Sequence, residues 1–73
     1  MELNLIVAEK IKSLRQKRNL SQETLAGLAE IDRSYMQSIE RGRRNITVGM
    51  LQKIARALNV KMSEILENID NEI

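Results

Sequence analysis

The chain has 73 residues and contains no cysteine, histidine, proline, tryptophan or phenylalanine, and only one tyrosine. Without cysteine a disulfide framework is impossible, and without histidine as well, zinc would have to be held by carboxylates alone, which structural zinc sites rarely do. The same absences remove the commonest general base and the best soft nucleophile. No glycine-rich phosphate loop or paired-carboxylate motif stands in for them. The sequence therefore points away from an enzyme, calls for no cofactor or metal, and shows no sign of a small-molecule ligand. A single aromatic ring leaves little for stacking on splayed bases, which argues against RNA as a partner. The longest uncharged apolar run covers only residues 5–8, and the N-terminus carries Glu2 rather than a basic segment leading into an apolar one. Neither a membrane span nor a leader is expected, and the expected location is the cytoplasm.

A chain this short buries a modest fraction of its unfolded surface, so it needs very regular packing or a partner. With disulfides and metals set aside, the stabiliser that remains is oligomerisation. The net charge of +2 says less than where the charges fall. Residues 10–18 hold five bases and no acid, residues 41–44 hold three arginines around Gly42, and residues 62–73 hold four acids and no base. Such a pattern suits a polyanion on one face and solvent on another. The basic run at 10–18 reads equally well as the solvated face of a helix.

Leu3, Val7, Ile11 and Leu14 recur at helical spacing with charges between them, which predicts a first helix over about residues 4–17, ending near Asn19. Ser21 is a good N-cap for a short second helix whose apolar positions are Leu25, Ala26, Leu28 and Ala29. Asp32 can cap a third helix with Met36 and Ile39 on its inner face, stopping before Gly42. Thr47 can cap a fourth, with Val48, Leu51, Ile54, Ala55 and Leu58 as its buried stripe and Asn59 at its end. Met62, Ile65, Leu66 and Ile69 predict a fifth helix fraying toward Asn71. No strand-period segment, repeat or low-complexity stretch occurs. The expectation is an all-α, five-helix fold forming one domain over residues 1–73.

Counting from Gln22, apolar residues fall at Leu25, Ala29, Ile31, Met36 and Ile39, with the small Ala26 where two helices must approach closely. This is the helix-turn-helix pattern, in which one helix braces the next across a tight turn and the second presents its outer face to a groove wide enough for one helix. The blocks at residues 20–26, 33–42 and 54–60 closely resemble the Cro/C1-type (xenobiotic response element) family of regulators. The resemblance covers roughly residues 8–67 and implies a lambda-repressor-like DNA-binding fold, with the helix-turn-helix at about 21–41 and a dimerisation region at about 47–70.

Carried over by place in the motif, Arg33, Ser34, Gln37 and Ser38 would contact base edges. Arginine can fork onto guanine O6 and N7, and the amide and hydroxyls can donate or accept. Gln22 resembles the family's phosphate-binding glutamine, and Tyr35, Arg43, Arg44 and Asn45 look like further backbone clamps. Arg15 and Glu40 match positions that commonly form an ion pair in the family, one that fixes orientation more than it adds stability. For each exposed polar residue the competing reading is a solvated helix face, and for Arg15 it is an extension of the basic face. Two departures stand out. Glu30 occupies the turn position where the family usually has glycine, and Lys61 stands where a serine often caps the last helix.

The resemblance implies a transcriptional regulator, a repressor and/or activator, that binds double-stranded DNA. The blocks around residues 33–42 and 43–47 also resemble the controller proteins of restriction-modification systems. An antitoxin or a phage-type repressor would use the same residues. A protein-interaction module on the same fold is the reading from a different class, disfavoured by the polar outer face of the third helix. Met50, Met62, Ile65 and Ile69 supply more apolar residues than so small a core needs, which predicts a two-fold homodimer on a palindromic operator, with recognition helices about 34 Å apart. RNA polymerase would be a further partner of an activator, and a nucleoid-associated location follows from DNA binding.

Overall fold

A computed structural model describes residues 2–69 and shows five helices in the order α1 (Leu3–Lys17), α2 (Gln22–Ala29), α3 (Arg33–Glu40), α4 (Val48–Leu58) and α5 (Met62–Leu66). Among the described residues there is no strand. Nor, among these residues, is any helix long and apolar enough to cross a membrane.

Side chains next to each helix set most of its boundaries. The Ser21 hydroxyl accepts from the Thr24 amide at 3.0 Å, Asp32 accepts from the amides of Ser34 at 2.9 Å and Tyr35 at 3.3 Å, and the Thr47 hydroxyl accepts from the Met50 amide at 3.1 Å. Each cap contributes about 1 kcal/mol by satisfying amides that the helix itself leaves unpaired. Lys61 has no such oxygen, and the Glu64 carboxylate reaches back to the Lys61 amide at 3.3 Å instead.

The first four helices all end in the same way. Asn19, Glu30, Gly42 and Asn59 adopt left-handed φ values of 57°, 56°, 72° and 58°, and the residue after each donates its amide back into the last turn. These bonds are Leu20 to Arg15 at 3.1 Å, Ile31 to Ala26 at 2.9 Å, Arg43 to Ser38 at 3.0 Å and Val60 to Ala55 at 3.0 Å. At three of the four ends the donor is an apolar residue packed on the core: Leu20, Ile31 and Val60. At the end of α3 it is Arg43, which is exposed. Gly42 is needed for more than its φ, because a Cβ there would run into the Leu5 side chain and lie 3.1 Å from the Leu5 Cα.

Ile6 and Ile11 of α1, Leu25 of α2, Met36 of α3, Ile54 and Leu58 of α4 and Ile65 of α5 are fully buried at the centre. α1 packs against α3 and α5, α2 packs against α3 and α4, and α4 closes on α5.

Several expectations need correction. Leu28 is 58% exposed, because α2 buries the arc of Leu25, Ala26 and Ala29, and Leu28 lies beyond its edge. Val48 is 74% exposed, because the first residue of α4 projects past the elements that cover the rest of its stripe. Leu3 is also largely exposed, while Ile6 and Ala8, absent from the expected stripe of the first helix, are buried. The fifth helix stops at Leu66: Glu67 turns to extended backbone with ψ of 133°, and Asn68 adopts φ of 61°. The expected fraying toward Asn71 lies outside the described residues.

Candidate nucleic-acid interface

α3 turns Met36 and Ile39 inward, where they are 0% and 2% exposed. The helical period then leaves Arg33 and Ser34 exposed on the outer side, with Gln37 and Ser38 half-buried beside them. The four residues expected to contact bases thus lie along one outward arc of a single helix. Capping by Asp32 starts that helix at Arg33, so the guanidinium sits at the leading end of the arc.

Behind α3 lies a polar joint. Arg15 of α1 donates from Nε to Glu40 Oε2 at 2.7 Å and from NH2 to Glu40 Oε1 at 3.0 Å, and its NH1 donates to the Leu20 carbonyl at 2.8 Å. Gln22, the first residue of α2, donates to Glu40 Oε1 at 3.0 Å. The Glu40 side chain is only 2% exposed and that of Arg15 11%, so one shielded carboxylate joins three helices. Its desolvation is offset because each oxygen receives charge-assisted or amide hydrogen bonds. Among the described residues no buried side-chain N or O atom lacks a partner. Gln22 was expected at a phosphate; here the Glu40 bond engages its amide nitrogen and fixes the direction in which the side chain leaves α2.

Beyond α3, Arg43 and Arg44 are exposed, and the Arg44 guanidinium lies 5.1 Å from the centre of the half-buried Tyr35 ring. This cation–π contact lays the loop against α3. Asn45 faces elsewhere than the arginines suggest: its side chain accepts from Asn4 at 2.7 Å and helps line a groove on the α1–α4 side.

The basic run at 10–18 divides. Arg15 belongs to the part-buried joint. Arg18 donates from Nε to the Leu58 carbonyl and from NH2 to the Asn59 carbonyl at 3.4 Å, placing a cation on the C-terminal end of α4. Lys10 and Lys17 share a cleft with Glu64 and Glu67, so these bases and acids lie side by side rather than on separate faces. Two residues gained roles that the sequence reading did not assign. Arg18 is one. The other is Glu23, whose carboxylate lies 3.6 Å from Arg33 NH1.

The expected dimer residues separate as well. Ile65 of α5 is 0% exposed and Ile69, beyond the end of that helix, 9%, so both pack into the chain's own core. Ile69 lies in the wall of the open groove as well. Met50 and Met62 are half-buried against the same core. Three of the exposed apolar side chains, Leu3, Val48 and Leu66, wall one groove, and Leu28 lies apart from it.

Comparison with known proteins finds that the helix-turn-helix family profile matches residues 11–65. The control protein C.MunI from Mycoplasma sp is 38% identical over 72 residues, spanning 97% of this chain and 97% of its own. The control protein C.SmaI from Serratia marcescens is 39% identical over 74 residues, spanning 99% of this chain and 88% of its own. The crystal structure of the restriction-modification controller protein C.AhdI from Aeromonas hydrophila matches with a TM-score of 0.83 at 39% identity, covering 85% of this chain and 94% of that one.

Proposed function

This chain belongs to the Cro/C1-type helix-turn-helix family of DNA-binding transcriptional regulators, and from that premise we propose that it is the controller of a restriction-modification system, binding a palindromic operator as a homodimer. The observation that carries the reading is the outer arc of α3, with Arg33, Ser34, Gln37 and Ser38 held outward by a part-buried joint at Glu40. Arg33 would fork onto a guanine, and Ser34, Gln37 and Ser38 would read neighbouring base edges. Arg43, Arg44, Tyr35 and Gln22 would hold phosphates, setting register without reading sequence. The likeness to control proteins along nearly their whole length favours the controller reading over a phage-type repressor or an antitoxin.

In this reading residues 21–41 form the DNA-reading unit and residues 47–70 the pairing unit of one domain. The groove walled by Leu3, Val48 and Leu66 takes a second copy of the chain, and Met50 and Met62 are further residues that would meet it. Its continuity with the DNA-reading face supports this occupant: the loop runs from Arg43 and Arg44 directly into Asn45, Ile46, Thr47 and Val48, which line the groove. A two-fold axis there pairs the same patch with itself and carries both recognition helices symmetrically onto DNA. The protein would act in the cytoplasm at the nucleoid, and activation would add RNA polymerase as a partner.

Selection of bound duplexes from a random pool, with sedimentation of the protein alone and on the selected duplex, tests the proposal. The expected result is an inverted repeat with half-site centres about one helical turn, about 34 Å, apart and a dimer on the DNA. A single unrepeated site, or monomer only at tens of micromolar with and without DNA, would contradict it.

A further inference from the structure

Arg33 occupies the first position of α3, where the partial positive charge of the helix terminus opposes a guanidinium. An unassisted arginine there would be pushed among many rotamers in water. Glu23, in the first turn of α2, places a carboxylate oxygen 3.6 Å from Arg33 NH1 across the helix-turn-helix angle. Both side chains are largely exposed, 65% for Arg33 and 71% for Glu23, so the pair lies on the surface that the recognition helix turns outward. A first-turn acid needs no special explanation, since it suits the α2 terminus. Its proximity to the one cation of the recognition helix is not accounted for in that way.

The geometry points to Glu23 as the positioning residue for Arg33, and so as a determinant of how sharply the protein recognises the base pair beneath that arginine. The inference rests on the reading that Arg33 contacts a base edge. The guanidinium has five N–H donors in a rigid plane, and holding it through NH1 leaves the edge formed by Nε and NH2 free. That edge carries the two parallel donors that guanine O6 and N7 accept. Glu23 thereby narrows the orientations from which Arg33 meets DNA, and less orientational freedom is lost on binding. Exposed ion pairs are weak, so the effect is a modest gain in discrimination rather than the source of affinity.

The test is a double-mutant cycle on the intact protein, using the duplex selected from the random pool and variants of it changed only at the base pair assigned to Arg33. Anisotropy titrations give the preference for the selected base pair in the parent, Glu23→Ala, Arg33→Ala and the double variant. Glu23→Ala should reduce that preference about threefold per half-site, within the range exposed pairs support, and leave preferences at other positions unchanged. In the Arg33→Ala background the same change should have no effect on the preference. Equal effects of Glu23→Ala in both backgrounds, or a uniform change on every duplex, would show only a general charge effect and overturn the role of Glu23. If Arg33→Ala itself leaves the preference intact, base reading by Arg33 fails first, and the role of Glu23 falls with it.

Discussion

Around α3 polar side chains are held by other polar side chains: Glu40 is clasped by Arg15 and Gln22, Arg44 lies on Tyr35, and Glu23 stands beside Arg33. Around the groove between α1, α4 and α5 the exposed walls are leucines and a valine, and a single side-chain bond, Asn4 to Asn45, crosses the rim. One surface is directional and the other is not. Hydrogen-bonding groups must meet a partner at a set distance and angle, so the face proposed to read DNA depends on orientation and carries its supports with it. Apolar surface rewards any close cover, so the second copy proposed for the groove would need only shape and symmetry. Damage at the first surface should therefore appear in folding and sequence choice, and damage at the second in association.

The largest expected effect lies at the joint. Glu40→Ala leaves the Arg15 guanidinium shielded with only the Leu20 carbonyl and frees Gln22, and should cost about 3 to 5 kcal/mol in urea unfolding, the scale for breaking a shielded pair from one side. A loss below 1 kcal/mol, about what an exposed pair is worth, would erase the contrast between the two surfaces. Val48→Asp should do the opposite. At an exposed helix start it should change monomer stability by no more than about 0.5 kcal/mol, yet two like charges facing across a two-fold axis should weaken dimerisation at least about tenfold in sedimentation equilibrium. An unchanged dimer would move the interface elsewhere. The smallest effect belongs to the turn that both surfaces leave alone. Glu30 holds φ of 56° without being glycine, and Glu30→Gly should stabilise the fold by about 0.5 to 1 kcal/mol, the relief of left-handed strain less the entropy glycine adds to the unfolded chain. A destabilised variant would show that the Glu30 side chain contributes to the turn.

What could be read from the sequence was short-range. Ser21, Asp32 and Thr47 cap because an oxygen two or three residues before an amide reaches it by local geometry alone, so their helices begin where expected. The inward face of α3 was equally legible, since Met36 and Ile39 leave one arc for polar residues. What escaped depended on neighbours far along the chain. Helical spacing marks Ile65, Ile69 and Val48 alike as apolar, and only the packing of the C-terminal segment onto the core places the first two inside and Val48 outside. Arg18 looked like one more base in a basic run, but its partners lie 40 residues away at the end of α4. The four chain reversals share one backbone geometry, and the one that follows with an exposed arginine instead of a packed apolar residue is the one at the end of the recognition helix. Local rules are relaxed where the chain has another use.

The most direct test of base reading by α3 compares Arg33→Ala with Arg44→Ala on the selected operator and on a scrambled duplex, each titrated at several salt concentrations. Arg33→Ala should cost about 1 to 3 kcal/mol per half-site on the operator and much less on the scrambled duplex, lowering the ratio between them. Arg44→Ala should weaken both nearly equally and flatten the slope of log affinity against log salt by about one unit for each phosphate that is no longer neutralised. An unchanged ratio in Arg33→Ala, with a changed ratio in Arg44→Ala, would contradict base reading by α3 and move it to the loop.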